Sequence, residues 1–182
     1  MSKKILHIIT SLDDGGAEGV LFRLVSFKES KYRHFVVSLT GGEKYTNLLK
    51  ENNVPVKLLN INGFISLIIS IPKLWLYMIK LKPNLIQTWM YHSDVIGGII
   101  AFLSGYRVIL WNVRSAEIHK KYKITTRVII KISALLSKNI PIKIIAPSNR
   151  TIKIHKNIGY ANKFHLINNG VDRAIFYYSK DR

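Results

Sequence analysis

The sequence predicts an α/β fold: a Rossmann-like, mostly parallel sheet with helices on both faces. Three observations lead there. Short runs rich in β-branched and aromatic residues alternate with longer segments whose apolar residues recur at helical spacing, which is the pattern of βαβ units. The glycine pair Gly15-Gly16 separates the first such run from the first helical pattern. The chain has 182 residues, 48% apolar and 21% charged, a folded composition long enough for one domain with a real core.

The elements run in order along the chain. Ile5 to Ile9 reads as a buried strand, Asp13 to Gly16 as a loop, and Ala17 to Phe27 as a helix carried by Val20, Leu21, Leu24 and Val25. His34 to Leu39 is a second strand, ended by Gly41-Gly42. Tyr45 to Asn52 is a short helix and Val54 to Leu59 a third strand. Ile65 to Leu81 is helical in pattern, with Pro72 as an alternative first-turn start and Pro83 as its stop. Asn84 to Trp89 is a fourth strand. Ser93 to Leu103 is a helix thinned by Gly97-Gly98, which predicts close packing on the sheet. Arg107 to Asn112, Lys143 to Ala146 and Phe164 to Ile167 are the remaining strands, with helices over Lys123 to Leu136 and Asn149 to Ile158.

Composition narrows the function. Cysteine is absent, which excludes a disulfide scaffold, a thiol nucleophile and a cysteine-based metal centre. Ser2-Lys3-Lys4 leads into only a short apolar run before Asp13-Asp14, so no secretory signal stands out. The stretch from Ile61 to Met78 is apolar but interrupted by Asn62, Ser66, Ser70, Pro72 and Lys73, and reads as a core or interfacial helix. The expectation is a cytoplasmic protein, soluble or loosely attached to a membrane.

In doubly wound folds ligands sit at the carboxyl ends of the strands. The first such loop holds Gly15 and Gly16. Glycines there let a backbone approach a ligand, and a helix start attracts phosphate. The spacing is not that of the dinucleotide fingerprint, and the second strand ends Ser38-Leu39-Thr40 without an acid, which argues against a nicotinamide cofactor. The loop reads equally as a tight turn with Glu18 near a helix dipole. The loop after the fourth strand, Gln87 to Asp94, brings His92 and Asp94 to a ligand edge. His92 suits orientation of, or proton exchange with, a hydroxyl. His92 or Ser93 as a helix cap is the alternative.

The order of these segments resembles the amino-terminal half of family 4 retaining glycosyltransferases, which have a GT-B fold. Ile5 to Leu21 is similar to the family's opening strand, Gly-Gly-Ala-Glu turn and first helix. Pro83 to Asp94 is similar to its Gln-Thr-Trp-Met-Tyr-His stretch, and Trp111-Asn112-Val113-Arg114-Ser115 to its Trp-x-x-Arg segment. Ile144 to Asn149 resembles a family strand ending in Ser-Glu, with Asn149 in place of Glu. Asn168-Asn169-Gly170-Val171-Asp172, then Phe176, is like the hinge signature, with Asn168 replacing the usual proline.

The resemblance implies that residues 1–168 form an acceptor-binding domain and 169–182 begin the hinge to a carboxy-terminal donor-binding domain that the sequence does not contain. It implies a nucleotide-sugar as co-substrate, no cofactor and no metal, and a lipid-linked saccharide acceptor. Gly15 and Gly16 would face the donor diphosphate, and His92 would act at the reacting centre. Tyr91, Asp94 and Arg114 would bind acceptor, and Asn169, Gly170 and Asp172 would form the hinge. The chain alone is expected to be inactive. The alternative is a non-catalytic interaction domain or gene remnant that pairs with a separate donor-binding subunit.

Charge points to a partner surface. Lys+Arg number 28 against 10 Asp+Glu, a formal net charge of +18. Eleven Lys/Arg and no acid lie between Ile118 and Val171, from Lys120 to Lys163. Such a one-signed field suits an anionic membrane, where each basic residue contributes about 1 kcal/mol. Phe64, Leu67, Ile68, Ile71, Trp75 and Met78, with Lys73 and Lys80, either dock there or face the core. No nucleic-acid motif accompanies the charge, so nucleic acid is not an expected partner.

Overall fold

A computed structural model describes residues 2–115 and 122–170 of the chain. Hinge residue Asp172, the signature Phe176, and Lys120 and Lys121 of the basic run lie outside the described residues. The elements are β1 (Lys4–Ile9), α1 (Gly16–Val25), β2 (Arg33–Ser38), α2 (Lys44–Glu51), β3 (Val56–Leu58), α3 (Phe64–Leu81) and β4 (Leu85–Trp89). They continue with α4 (Tyr91–Leu103), β5 (Ile109–Asn112), α5 (Ile124–Leu136), β6 (Lys143–Ala146), α6 (Asn149–Asn157) and β7 (Phe164–Leu166).

The seven strands form one sheet in the order β3-β2-β1-β4-β5-β6-β7. Every neighbouring pair is parallel. The order reverses between β1 and β4. Right-handed crossovers therefore send α1 and α2 to one face and the later helices to the other. The cores agree. Leu21 and Val25 of α1 and Leu49 of α2 pack with Ile9, Val36 and Trp89 on the first face. On the second face Leu74 and Met78 of α3, Ile100 of α4 and Ile130 of α5 pack with Leu6, Ile86 and Trp111.

The predicted glycine thinning of α4 does what its pattern implies. A Cβ on Gly97 would lie 2.9 Å from Ile8 Cδ1, and one on Gly98 would lie 3.1 Å from Trp111 Nε1. The α3 start falls within one residue of the expected Ile65 and not at the alternative Pro72, whereas the α4 start differs from expectation. α3 begins at Phe64, so Pro72 lies inside it. The start is set upstream, where Ser66 Oγ accepts the N–H groups of Asn62 and Gly63, both at 2.9 Å. α4 begins at Tyr91, two residues before the predicted Ser93, because Met90 turns the chain with φ 70 and ψ 161 and its carbonyl accepts the Asp94 N–H.

The two faces are not equally covered. α1 and α2 pack over β1 to β3 and over Trp89 at the end of β4. Among the described residues, an open groove of about 1520 Å³ runs along that face from Ile5 of β1 to Gln87, Leu110 and Ile145 of β4 to β6.

Candidate functional site

The crevice at the β1/β4 switch point is where strands carry two loops apart and leave room for a ligand. One loop runs from β1 to the N-terminus of α1; the other runs from β4 to the N-terminus of α4. Thr10 Oγ1 and Ser93 Oγ lie 3.2 Å apart and bridge them. Two helix starts thus converge on one crevice, with their unpaired N–H groups and positive dipole ends.

Gly15 caps α1 with extended backbone and no side-chain cap bond. The space beside Gly16 is open. The Glu18 carboxyl folds back over Gly15, where a Cβ would meet it. Burial raises the Glu18 pKa, against the opposing pull of its own backbone N–H and of Ser11, whose Oγ–H donates to Oε1 at 3.5 Å. The anion-attracting end of α1 therefore already holds a carboxylate, and Asp13 and Asp14 stand exposed beside it. Asp14 pairs with Lys44 at 2.8 Å.

Sequence reasoning passed over the group that shapes this loop. Gly42 has φ 110, and a Cβ there would run into the backbone of Leu12 and Asp13. Leu12 N–H donates to Gly41 O at 2.7 Å, and Tyr45 N–H to Leu12 O at 3.1 Å. In the sequence the Gly41-Gly42 pair signals only a strand stop; in the fold it also buttresses the loop after β1.

On the second loop Met90 sits in a backbone region that side chains strongly disfavour, the sort of strain that clusters at functional turns. That turn sets which side chains of the first turn of α4 reach the crevice. His92 is half-buried at the helix start, and burial lowers its pKa, so the imidazole is neutral near pH 7. It forms no side-chain hydrogen bond among the described residues. One lone pair and one N–H are thus available at the crevice.

Tyr91 and Asp94 turn inward instead. Tyr91 is buried, and its O–H donates to His155 Nε2 at 3.0 Å, since His155 Nδ1–H is committed to Thr151 O at 2.8 Å. Burial pushes the Tyr91 hydroxyl pKa upward. Asp94 is fully buried under α4 and accepts the Thr88 hydroxyl; desolvation pushes its carboxyl pKa well above the usual range, against the opposing Thr88 hydrogen bond. Both residues, expected to bind acceptor, anchor α4 to its neighbours in this structure.

Arg114 leaves β5 toward the open groove. Its Nη1–H donates to Asn169 Oδ1 at 2.6 Å and its Nη2–H to Asn112 Oδ1 at 2.9 Å. The guanidinium lies 5.0 Å from the Trp89 ring centre. Burial lowers its pKa to about 10, so it stays charged near pH 7. Its Nε has no partner among the described residues. Asn169, the predicted hinge residue, is thereby tied to the edge of the open groove, while Gly170 stands exposed beside it with open space around it.

A buried chain of donors backs Trp89. Its Nε1–H donates to His7 Nδ1 at 3.3 Å, which puts the His7 proton on Nε2. That N–H donates to His34 Nδ1 at 3.0 Å, and His34 Nε2–H donates to Ser30 Oγ at 2.9 Å. Burial and the neighbouring His34 push the His7 pKa down to about 3. Among the described residues no group of three His, Asp or Glu side chains is placed to hold a metal.

No family model matches the chain, and no curated protein matches it. Solved structures do. HepE from Anabaena in complex with UDP is 18% identical, with a TM-score of 0.79 over 97% of this chain and 47% of that one. The apo form of the lipopolysaccharide outer core galactosyltransferase WaaB is 15% identical, with a TM-score of 0.67 over 92% of this chain and 46% of that one. UDP-N-acetylglucosamine 2-epimerase from Rickettsia bellii is 13% identical, with a TM-score of 0.62 over 90% of this chain and 44% of that one. The chain spans about half the length of each. The likeness shows the fold: a Rossmann-like half-domain of the kind found in GT-B proteins.

Proposed function

We propose that this chain is the acceptor-binding half of a retaining, family 4-like glycosyltransferase. The complete enzyme would move a sugar, of hexosyl type, from a nucleotide-sugar to a lipid-linked saccharide during synthesis of a bacterial surface glycan such as lipopolysaccharide, capsule or exopolysaccharide. It would work without a cofactor or metal, in the cytoplasm, at the inner face of the cytoplasmic membrane. The observation that carries the reading is the crevice itself: two helix N-termini and a neutral His92 meet at the switch point of a fold shared with UDP-bound HepE. HepE has also been solved with UDP-glucose.

In this reading Gly16 and the α1 N–H groups face the donor diphosphate, and Glu18 swings aside to admit it. His92 orients the acceptor hydroxyl or the transferring sugar. Arg114 holds an anionic group of the acceptor, and Asn169 couples it to the hinge. The open groove over β4 to β6 supports a carboxy-terminal domain, or a separate donor-binding subunit, as the element that covers this half.

The test is sugar transfer. The whole gene product, given radiolabelled nucleotide-sugars and a lipid-linked saccharide, should label the lipid. His92→Ala should lower that rate by about 100-fold, the scale of a positioned proton-handling group. The 182-residue chain alone should show no turnover. Steady transfer by the isolated chain would refute the division of labour.

A further inference from the structure

The second face of the molecule carries a surface that the crevice does not use. α3 is buried along one seam, Ser70, Leu74 and Met78, with Tyr77 and Leu81 packed beside it. Its other sides are apolar and open: Phe64, Ile65, Ile68, Ile71, Trp75 and Ile79 are all exposed. Of the residues that could either dock or face the core, Met78 faces the core. A helix apolar all round belongs in a core or against lipid. By length and composition α3 could cross a membrane. Its seam residues, however, belong to the core beneath it, and pulling the helix out would strip Leu74 and Met78 from that core.

α5 repeats the pattern on the far side of α4. Ile124, Val128, Ile132 and Leu135 are exposed at successive helical turns. α4 packs between α3 and α5, so the two strips flank it on one face of the molecule.

Charge selects the occupant. Between residues 52 and 115, and again between 122 and 170, the sole acid is Asp94, which is fully buried. Lys73, Lys80, Arg127, Lys131 and Lys138 stand exposed on and beside the two strips. A second copy would oppose this one-signed surface with itself. An anionic bilayer complements both its apolar strips and its charge.

The edge is also right. All strands run parallel, so helices that come after strands begin at the edge where the crevice opens. Phe64 and Ile65 begin α3 and Ile124 begins α5, and these are 76%, 75% and 78% exposed. We infer that the outer face of α3, α4 and α5 docks on an anionic lipid bilayer, with the starts of α3 and α5 seated at the lipid beside the crevice. The inference rests on the peripheral-membrane part of the proposed function and not on sugar transfer.

Trp75 supplies the reporter. It is 44% exposed, whereas Trp89 and Trp111 are fully buried. With vesicles of phosphatidylcholine and about 30% phosphatidylglycerol, Trp emission should shift to the blue, and brominated lipid should quench it. Ile65→Glu with Ile68→Glu should cut the partition coefficient at least about tenfold. Lys50→Glu, on α2 of the opposite face, makes the same change in net charge and should cost far less. Circular dichroism checks that each variant is folded.

Equal losses from the two variants would overturn the surface, because they would mean that net charge alone drives binding. So would binding that ignores phosphatidylglycerol, absence of quenching, or a dimer in solution that Ile65→Glu with Ile68→Glu dissociates. Transfer by the whole gene product to a short-chain soluble acceptor needs no bilayer. Transfer without docking would retire this surface and leave the enzyme standing.

Discussion

His7 shows how a single buried side chain sets a condition on the whole site. It accepts from Trp89 through Nδ1 and donates to His34 through Nε2–H, and accepting at one nitrogen while donating at the other requires the neutral ring. A proton on either histidine would set two donors face to face. Burial accordingly holds the folded His7 pKa at about 3, whereas the unfolded chain titrates near 6.5. Above pH 6.5 neither state binds the proton and stability is unaffected. Below it the unfolded state takes up the proton first, so stability falls as pH drops toward 3. At pH 5 the loss from His7 is about 2 kcal/mol. Urea unfolding at pH 7 and pH 5 measures it, and His7→Gln should flatten the difference. A stability that is level across this range would contradict the buried neutral pair. None of this was legible in the sequence, where His7 is one polar residue inside an apolar run; the partner His34 lies 27 positions away and meets it only through the β1–β2 register.

At the scale of elements, helix starts decide which residues reach the crevice. The stretch Gln87 to Asp94 does form the turn from β4 into α4, with His92 half-buried at the helix start, and Arg114 lies at the open groove over the Trp89 ring. Tyr91 and Asp94 face inward, because Met90 turns the chain with positive φ and starts α4 two residues early. That turn points positions one and four of the helix at the core, and no local periodicity signals it. Loops also hold one another. Gly42 lies against the backbone of Leu12 and Asp13 with φ 110. Gly42→Ala should therefore destabilise the protein by on the order of 3 kcal/mol through strain and forced displacement of the first loop. Thermal or urea unfolding reads this, and a change below about 0.5 kcal/mol, the range of a neutral surface substitution, would count against the buttress.

For the whole molecule the dominant quantity is charge. The formal net charge of +18 makes the compact state repel itself, and the described acids other than Asp94 cluster at the α1/α2 end of the fold. Raising sodium chloride from about 0.01 to 0.3 M shortens the screening length from about 30 Å to less than 8 Å, and Tm should rise by several degrees. A Tm that falls over this range would mean that attractive pairs outweigh the self-repulsion. The two faces differ in surface as well: an open groove lies on one, and an apolar, basic helical layer on the other.

Element order, the parallel sheet and the position of the two loops that border the switch point can be read from the chain alone. Each of these is written in local periodicity and in turn residues, and neighbours along the chain suffice to specify them. Tertiary structure alone decided three things: the inward turn of Tyr91 and Asp94, the buttress from Gly42, and the outward face of α3. Each depends on which distant backbone or side chain arrives alongside. Ile65 and Leu74 are alike in composition, and only the packing of α3 on its core leaves one in water and buries the other.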